Sequence, residues 1–424
     1  AGAWCGQNKY LSAIKNAFQN FMPLTIAGAI GVLWCNVLVN DQTGLGLFFK
    51  PIMALDFLNP AFQAVNFCTI SCITVGITLG IAQEIGVWNM GAERAGYIPG
   101  LVGLAAWLSV TNTSHMVEGA KEAFTGIAGN ELGATGLFTG MIIGVLSVEL
   151  FCFFEKQDAL KIKMPEQVPP GVARAFEVLV PATITLIITA CIGSACYNLT
   201  GLYLNDVIKN GIQGPLGAVG ATIPGVMIIY LVIMLFWLVG IHGNNMLSAV
   251  KEALFTPLAL ENVEKFNKGE KPTNIINMYA LQMWGEFGGS GVTIGLVIAI
   301  MIFGKREDNK AIASLSLVPG LFNINETVTF GIPMVLNPIL GIPFVFACLV
   351  TILVGYVLTV IGFCPVACLT VPWTTPPIVF GFLATGANVM GAVTQAILIV
   401  VSTVIYVPFL IAYEKYQNKQ AAEA

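Results

Sequence analysis

The sequence predicts an all-α polytopic membrane protein, and three observations carry that expectation. First, 56% of the 424 residues are hydrophobic and only 10% are charged, against roughly 45–50% and about 25% in an ordinary soluble domain. A water-facing surface of this size needs more charge, so much of the outside is expected to face lipid. Second, long runs carry no charge at all: Pro23 to Val39, Phe62 to Gln83, Val178 to Asn205, Phe287 to Gly304, and Thr327 to Tyr413. A spanning helix needs about 20 mostly apolar residues, so the last run alone has room for several. Third, basic residues gather near the ends of such runs, as they do in cytoplasmic loops. By length the chain holds roughly eight to eleven membrane segments.

Taken in order, Ala1-Gly2 without Met reads as a trimmed start, and the first residues lack a signal-peptide pattern. Lys9 to Asn20 reads as an amphipathic surface helix with Lys9 and Lys15 toward water, and the first span follows from Phe21. A mixed loop around Asp41 to Asp56 leads to the second span. Glu84 to Arg94, with Gly86 and Gly91, reads as a polar break. Spans then run from about Ala95 to Val110 and from Leu132 to Phe154. Glu155 to Glu177 is the clearest hydrophilic linker, with Lys156, Lys161, Lys163 and Arg174 beside Pro165, Pro169 and Pro170. This linker, the cluster of Lys305, Arg306 and Lys310, and the pair Lys415 and Lys419 are all expected in the cytoplasm. Lys251 to Lys271 mixes its bases with Glu252, Glu261, Glu264 and Glu270, and reads as a loop whose charge balance fits either side.

The second half has a different texture. Its apolar runs are interrupted at Gly240 to Asn245, Gly285 to Gly291, Asn323 to Gly331 and Pro372 to Thr375. Irregular backbone at membrane depth is tolerated only inside protein or beside a watery cavity, and broken segments mark transporter binding sites. The first half therefore reads as scaffold and the second as the transport site.

Within those strings a few residues could do chemistry. His242 follows the apolar run Ile223 to Gly240; a titratable group there is a functional candidate, although Gly243 beside it also suits a helix end. Glu326 is the only acid between Asp308 and Glu414, and a carboxylate in such surroundings is costly unless paired, hydrated or protonated. Trp373 sits among Pro372, Pro376 and Pro377, where no regular helix can form. Its apolar face and single N–H suit a sugar ring, while an interfacial Trp is the plainer reading. Trp237 has the weaker claim because it lies within an apolar helix. The set suits a neutral polyhydroxylated solute. The ten Cys lie mostly in apolar runs and read as core-packing thiols. With only two His there is no metal-ligand spacing, no cofactor is expected, and a net charge of −4 argues against a nucleic-acid partner.

These strings resemble the signatures of the membrane-embedded IIC components of the bacterial phosphotransferase system. The resemblance rests on Trp237-Leu-Val-Gly-Ile-His242-Gly, on Phe322-Asn-Ile-Asn-Glu326-Thr-Val-Thr-Phe-Gly-Ile-Pro-Met-Val-Leu-Asn-Pro338, and on Val371-Pro-Trp373-Thr-Thr-Pro-Pro377. Met22 to Gly28 and Leu132 to Phe138 fit as well. They resemble the lactose, cellobiose and diacetylchitobiose branch in particular; Thr327 departs from it, since members usually carry Pro there. The resemblance implies a homodimer in the bacterial cytoplasmic (inner) membrane, with about ten membrane helices per chain, re-entrant hairpins in the C-terminal half and amphipathic surface helices. It implies a scaffold and dimerisation half over 1–176, a linking transmembrane and amphipathic segment over 177–216, and a sugar-binding transport domain over 217–424. A disaccharide such as diacetylchitobiose or cellobiose would be phosphorylated on its 6-hydroxyl by the phosphocysteine of a separate cytoplasmic IIB partner, itself supplied by IIA. Glu326 and His242 would then lie at the acceptor hydroxyl. Trp373 would stack on a sugar ring, Asn325 and Thr374 would bind hydroxyls, and Trp237 and Asn130 would make weaker contributions. The rival expectation is a proton-coupled disaccharide symporter using Glu326 and His242 as a relay. A membrane enzyme that does not transport is more distant, since it would need a fuller catalytic set.

Overall fold

The computed structural model describes residues 8–41, 45–115, 124–165, 167–215, 220–332, 334 and 337–423. Its regular structure is helical apart from one two-residue antiparallel pair, β1 (Ser114–His115) with β2 (Phe124–Thr125). Among the described residues, six helical stretches are long and apolar enough to cross a membrane: Lys9–Leu38, Lys50–Met90, Ala134–Glu155, Pro170–Thr200, Gly341–Val360 and Val389–Gln420. Met278–Val292 and Ile294–Phe303 together make a further pair, bent by 59°, and Ile98–Val110 and Ile223–Leu238 are shorter apolar helices. Large apolar side chains such as Leu146, Ile187, Val400 and Val404 stand exposed on them, which suits contact with lipid. The chain divides into two compact units, one of residues up to Gly28 with Val65–Gly217, the other of Ala29–Ala64 with Ala218–Ala424.

Helix α1 (Lys9–Leu33), whose residues up to Gly28 belong to the first unit, is continuous through Pro23. The expected surface helix is thus continuous with the first apolar stretch. Lys9 does not point to open water, because its Nζ lies 2.6 Å from Glu149 Oε1. Helix α2 (Ile73–Met90) runs through Glu84 and stops only at Gly91, where φ is +81°. The polar break is therefore shorter than the sequence indicates, because Asn16 donates to Glu84 at 2.9 Å and keeps its charge within the packed helices. Helices α3 (Ile98–Val110) and α4 (Ala134–Glu155) close on α2 around buried Ile77, Ile81, Trp107 and Leu137. Their approach needs small residues: a β-carbon on Gly103 would stand 2.3 Å from that of Ala82. Helix α5 (Pro170–Thr200) begins inside the hydrophilic linker, with Pro at its first position. Its first turns bring Arg174 and Glu177 into an ion network with Arg94 and buried Glu155. Arg94 and Arg174 each reach Glu155 at 2.9 Å, and each also pairs with Glu177.

The second unit contains α6 (Ile223–Leu238), whose first turn is capped by the Thr222 hydroxyl, and α7 (Ser248–Asn267). The mixed-charge segment expected as a loop is this helix. It folds so because Lys251 is buried against Glu286 while Ala249, Phe255, Ala259 and Val263 face the interior. Then come α8 (Met278–Gly285), α9 (Ile294–Phe303), α10 (Glu307–Leu321), α11 (Glu326–Gly331), α12 (Gly341–Val360), α13 (Val379–Ala384) and α14 (Val389–Glu423). The Glu414 carboxylate on α14 accepts from the backbone N–H of Lys305 at 2.9 Å and from that of Arg306, fixing the turn between α9 and α10. Buried Asn262 and Asn277 both donate to Ala367 O, holding the extended segment that leads to Trp373.

Candidate functional site

The candidate residues come together where helices of the second unit give way to irregular backbone. After α6 the chain turns at Gly240, with φ +80°, and His242 becomes the N-cap of a four-residue helix, Gly243–Met246. His242 therefore opens a helix rather than ending one. Its Nδ1 accepts from the Asn245 N–H at 3.2 Å. An accepting Nδ1 leaves the ring proton of the neutral imidazole on Nε2. That nitrogen faces Glu326 Oε1 at 3.9 Å, which is beyond direct hydrogen-bond reach. The two side chains are 39% and 48% exposed, so both are open to a solute.

The imidazole is steadied from behind. The Trp237 and His242 rings have centroids 4.4 Å apart. Trp237 itself is only 3% exposed, so in this structure it offers no open face for a sugar ring. Asn325 is also buried; its Nδ2 donates to Ser290 O at 2.8 Å. Ser290 Oγ in turn accepts from Asn244 Nδ2 at 3.2 Å. Asn325 thus secures the Gly-rich string, which presses against it so closely that a β-carbon on Gly289 would lie 2.6 Å from its side chain. Trp373 is 45% exposed and Thr374 beside it is half-buried. The side chain of Asn130 lies outside the described residues. Its neighbour Glu131, in the first unit, is buried, and burial pushes its carboxyl above the ordinary value while the nearby His115 opposes the shift.

Three features of this region escaped the sequence reading. Asn323 bonds to two other strings. Gln395, on α14, accepts from Ile378 N and Gly381 N at 2.7 Å and so fixes the end of the Pro-rich string. The signal for Gln395 was present as an amide inside an apolar run. Lys251 and Tyr230 both donate to Glu286 Oε1, Tyr230 at 2.6 Å, at the root of the Gly-rich string. No local pattern brings those three residues together.

Comparison with known proteins gives a consistent family. The family described as "Phosphotransferase system, EIIC" matches residues 15–348. The oligo-beta-mannoside-specific EIIC component of Bacillus subtilis (strain 168) is 34% identical over 96% of this chain and 90% of its own length. The cellobiose-specific EIIC component of Lactococcus lactis subsp. lactis is 29% identical over 98% and 96%. The lactose-specific EIICB component of Staphylococcus aureus (strain COL) is 32% identical over 96% of this chain and 69% of that protein. Among solved structures, the transporter ChbC, the IIC component of the N,N'-diacetylchitobiose-specific phosphotransferase system, superposes with a TM-score of 0.90 at 29% identity, covering 99% of this chain and 97% of that one.

Proposed function

This chain belongs to the EIIC family of the phosphotransferase system, and we propose that it carries a β-linked disaccharide whose 6-hydroxyl is held between His242 and Glu326 while it is phosphorylated. The chain is an integral component of the bacterial cytoplasmic membrane, a sugar permease that works with a IIB partner. The disaccharide is the finer reading. It is supported by relatives named for cellobiose, oligo-beta-mannoside and lactose, and by the diacetylchitobiose transporter. The relatives named EIICB join a C and a B part in their names, which supports a IIB partner for this chain; a phosphocysteine on that partner as the donor belongs to the proposal. A homodimer, with 1–176 as its scaffold, 177–216 as a linking segment and 217–424 as the sugar carrier, completes the proposal.

The observation that carries it is the 3.9 Å gap between Nε2 and Oε1. Two hydrogen bonds of about 2.8 Å meeting at roughly a right angle span that distance. A sugar hydroxyl in the gap would accept from His242 Nε2–H and donate to the Glu326 carboxylate. In the transfer the S–P bond of IIB breaks and the O–P bond to the sugar forms. The hydroxyl proton passes to Glu326 and the thiolate leaves on IIB. Phosphoryl transfer depends mainly on positioning and electrostatics, so this small set suffices. Trp373 would stack on a ring, with Thr374 at a hydroxyl.

The test is calorimetry of the purified chain against diacetylchitobiose, cellobiose and lactose, together with their 6-deoxy analogues. One of the parent sugars is expected to bind at least about tenfold more tightly than its 6-deoxy form, since the analogue leaves the two polar groups unbridged. Equal binding of the two would remove the 6-hydroxyl from the gap. The proton-coupled symporter is not favoured by the family match and has no separate observation in its support.

A further inference from the structure

Three of the four interrupted strings of the second unit meet at one side chain. Asn323 has φ +62°, a left-handed conformation that asparagine accepts more readily than most residues with a β-carbon. Its carboxamide is used at both ends. Oδ1 accepts from Gly288 N at 2.6 Å. Nδ2 donates to Trp373 O and, at 3.1 Å, to Thr375 O. Gly288 belongs to the Gly-rich string, Trp373 and Thr375 to the Pro-rich string, and Asn323 to the string that presents Glu326 three residues later, at the start of α11. The backbone N–H of Asn323 closes the end of α10 on Gly320 O at 3.0 Å.

We propose that Asn323 is a positioning residue that sets the indole of Trp373 against the carboxylate of Glu326; this rests on the sugar-binding reading above. Backbone outside helices has no ladder to fix it, so its place is set by a few bonds. The junction asks for one acceptor and two donated N–H bonds from a neutral group. A carboxamide supplies that, an aspartate cannot donate, and a hydroxyl has one proton. Asn323 touches no reacting atom in this arrangement. Its effect on the solute passes through the ring of the residue whose carbonyl it holds.

The test is a double-mutant cycle on disaccharide binding, read by calorimetry on the full chain in detergent. The variants are Asn323→Gly, Asn323→Ala, Trp373→Ala and the pair Asn323→Gly with Trp373→Ala. Gly keeps the left-handed backbone and removes only the carboxamide, so it separates the clasp from the conformation. Both Asn323→Gly and Asn323→Ala are expected to weaken binding by about tenfold. In the Trp373→Ala background, which removes the ring, the same Asn323→Gly change is expected to cost less than about twofold, because coupled residues are not additive. Should Asn323→Gly not fold, Asn323→Ala must show the same loss of additivity with Trp373→Ala. Equal losses in both backgrounds, or a loss with Ala and none with Gly, overturn the positioning role while the sugar reading stands. A wild-type chain that binds none of diacetylchitobiose, cellobiose and lactose overturns the sugar reading and the positioning with it.

Discussion

Glu326 and His242 divide one task in the proposed site, and their separate replacement tests the division. Glu326→Gln keeps the shape and removes the proton acceptor. Sugar binding is expected to change by less than about threefold, while transfer from phosphorylated IIB falls by roughly 10²–10⁴, the usual worth of a general base. A single-turnover assay beside a binding titration separates the two effects. Glu131 gives a pH test in the first unit. Burial raises its carboxyl above the ordinary value, so the folded chain holds that proton more tightly than the unfolded one. Stability from this group is fully present below the ordinary carboxylate range. It is lost as pH rises through that range to the raised value. Thermal unfolding of Glu131→Gln against pH should lack that decline. A decline unchanged in the variant would assign it elsewhere. At this scale His242 and Glu326 were legible because titratable groups are rare in such apolar surroundings. The burial of Trp237 and Asn325 was not, because it depends on α12 and on the Gly-rich string, both distant in sequence.

Among the elements, α7 is the clearest departure from what the sequence conveys. Its charges read as loop, yet Lys251 is buried and joined to Glu286, with Tyr230 on the same oxygen. Removing one partner of a buried pair leaves an uncompensated charge and costs about 3–5 kcal/mol. Lys251→Met alone should therefore destabilise the chain by that order. Lys251→Met with Glu286→Gln should recover most of the loss, as read by thermal unfolding in detergent. Equal loss in the single and the double variant would mean that the pair does not govern the fold there. The interrupted strings were legible as strings, since glycine, proline and asparagine break apolar runs visibly. Which string bonds to which was not, because Asn323 finds its partners 35 and 50 residues further along or back.

For the molecule as a whole, apolar composition and uncharged runs were enough to read a many-pass helical protein. The two-unit division, with 29–64 placed in the second unit, depends on tertiary packing that no local pattern records. The ion network of Arg94, Glu155, Arg174 and Glu177 stands in the first unit, with the Glu155 side chain 3% exposed. Glu155→Gln should lower stability by about 3 kcal/mol while leaving the affinity of the second unit for sugar unchanged. A large loss of affinity in a folded Glu155→Gln chain would contradict that independence. Transport in this account needs no ion gradient. The product carries roughly −1.5 to −2 charges by analogy with other phosphomonoesters, and cannot return through lipid. The most direct measurement places the purified chain in liposomes with labelled disaccharide outside and phosphorylated IIB inside, with unphosphorylated IIB as control. Labelled sugar 6-phosphate is expected to accumulate only with phosphorylated IIB, and Glu326→Gln to slow this by roughly 10²–10⁴. Accumulation of free sugar regardless of IIB, following an imposed pH gradient, would contradict it.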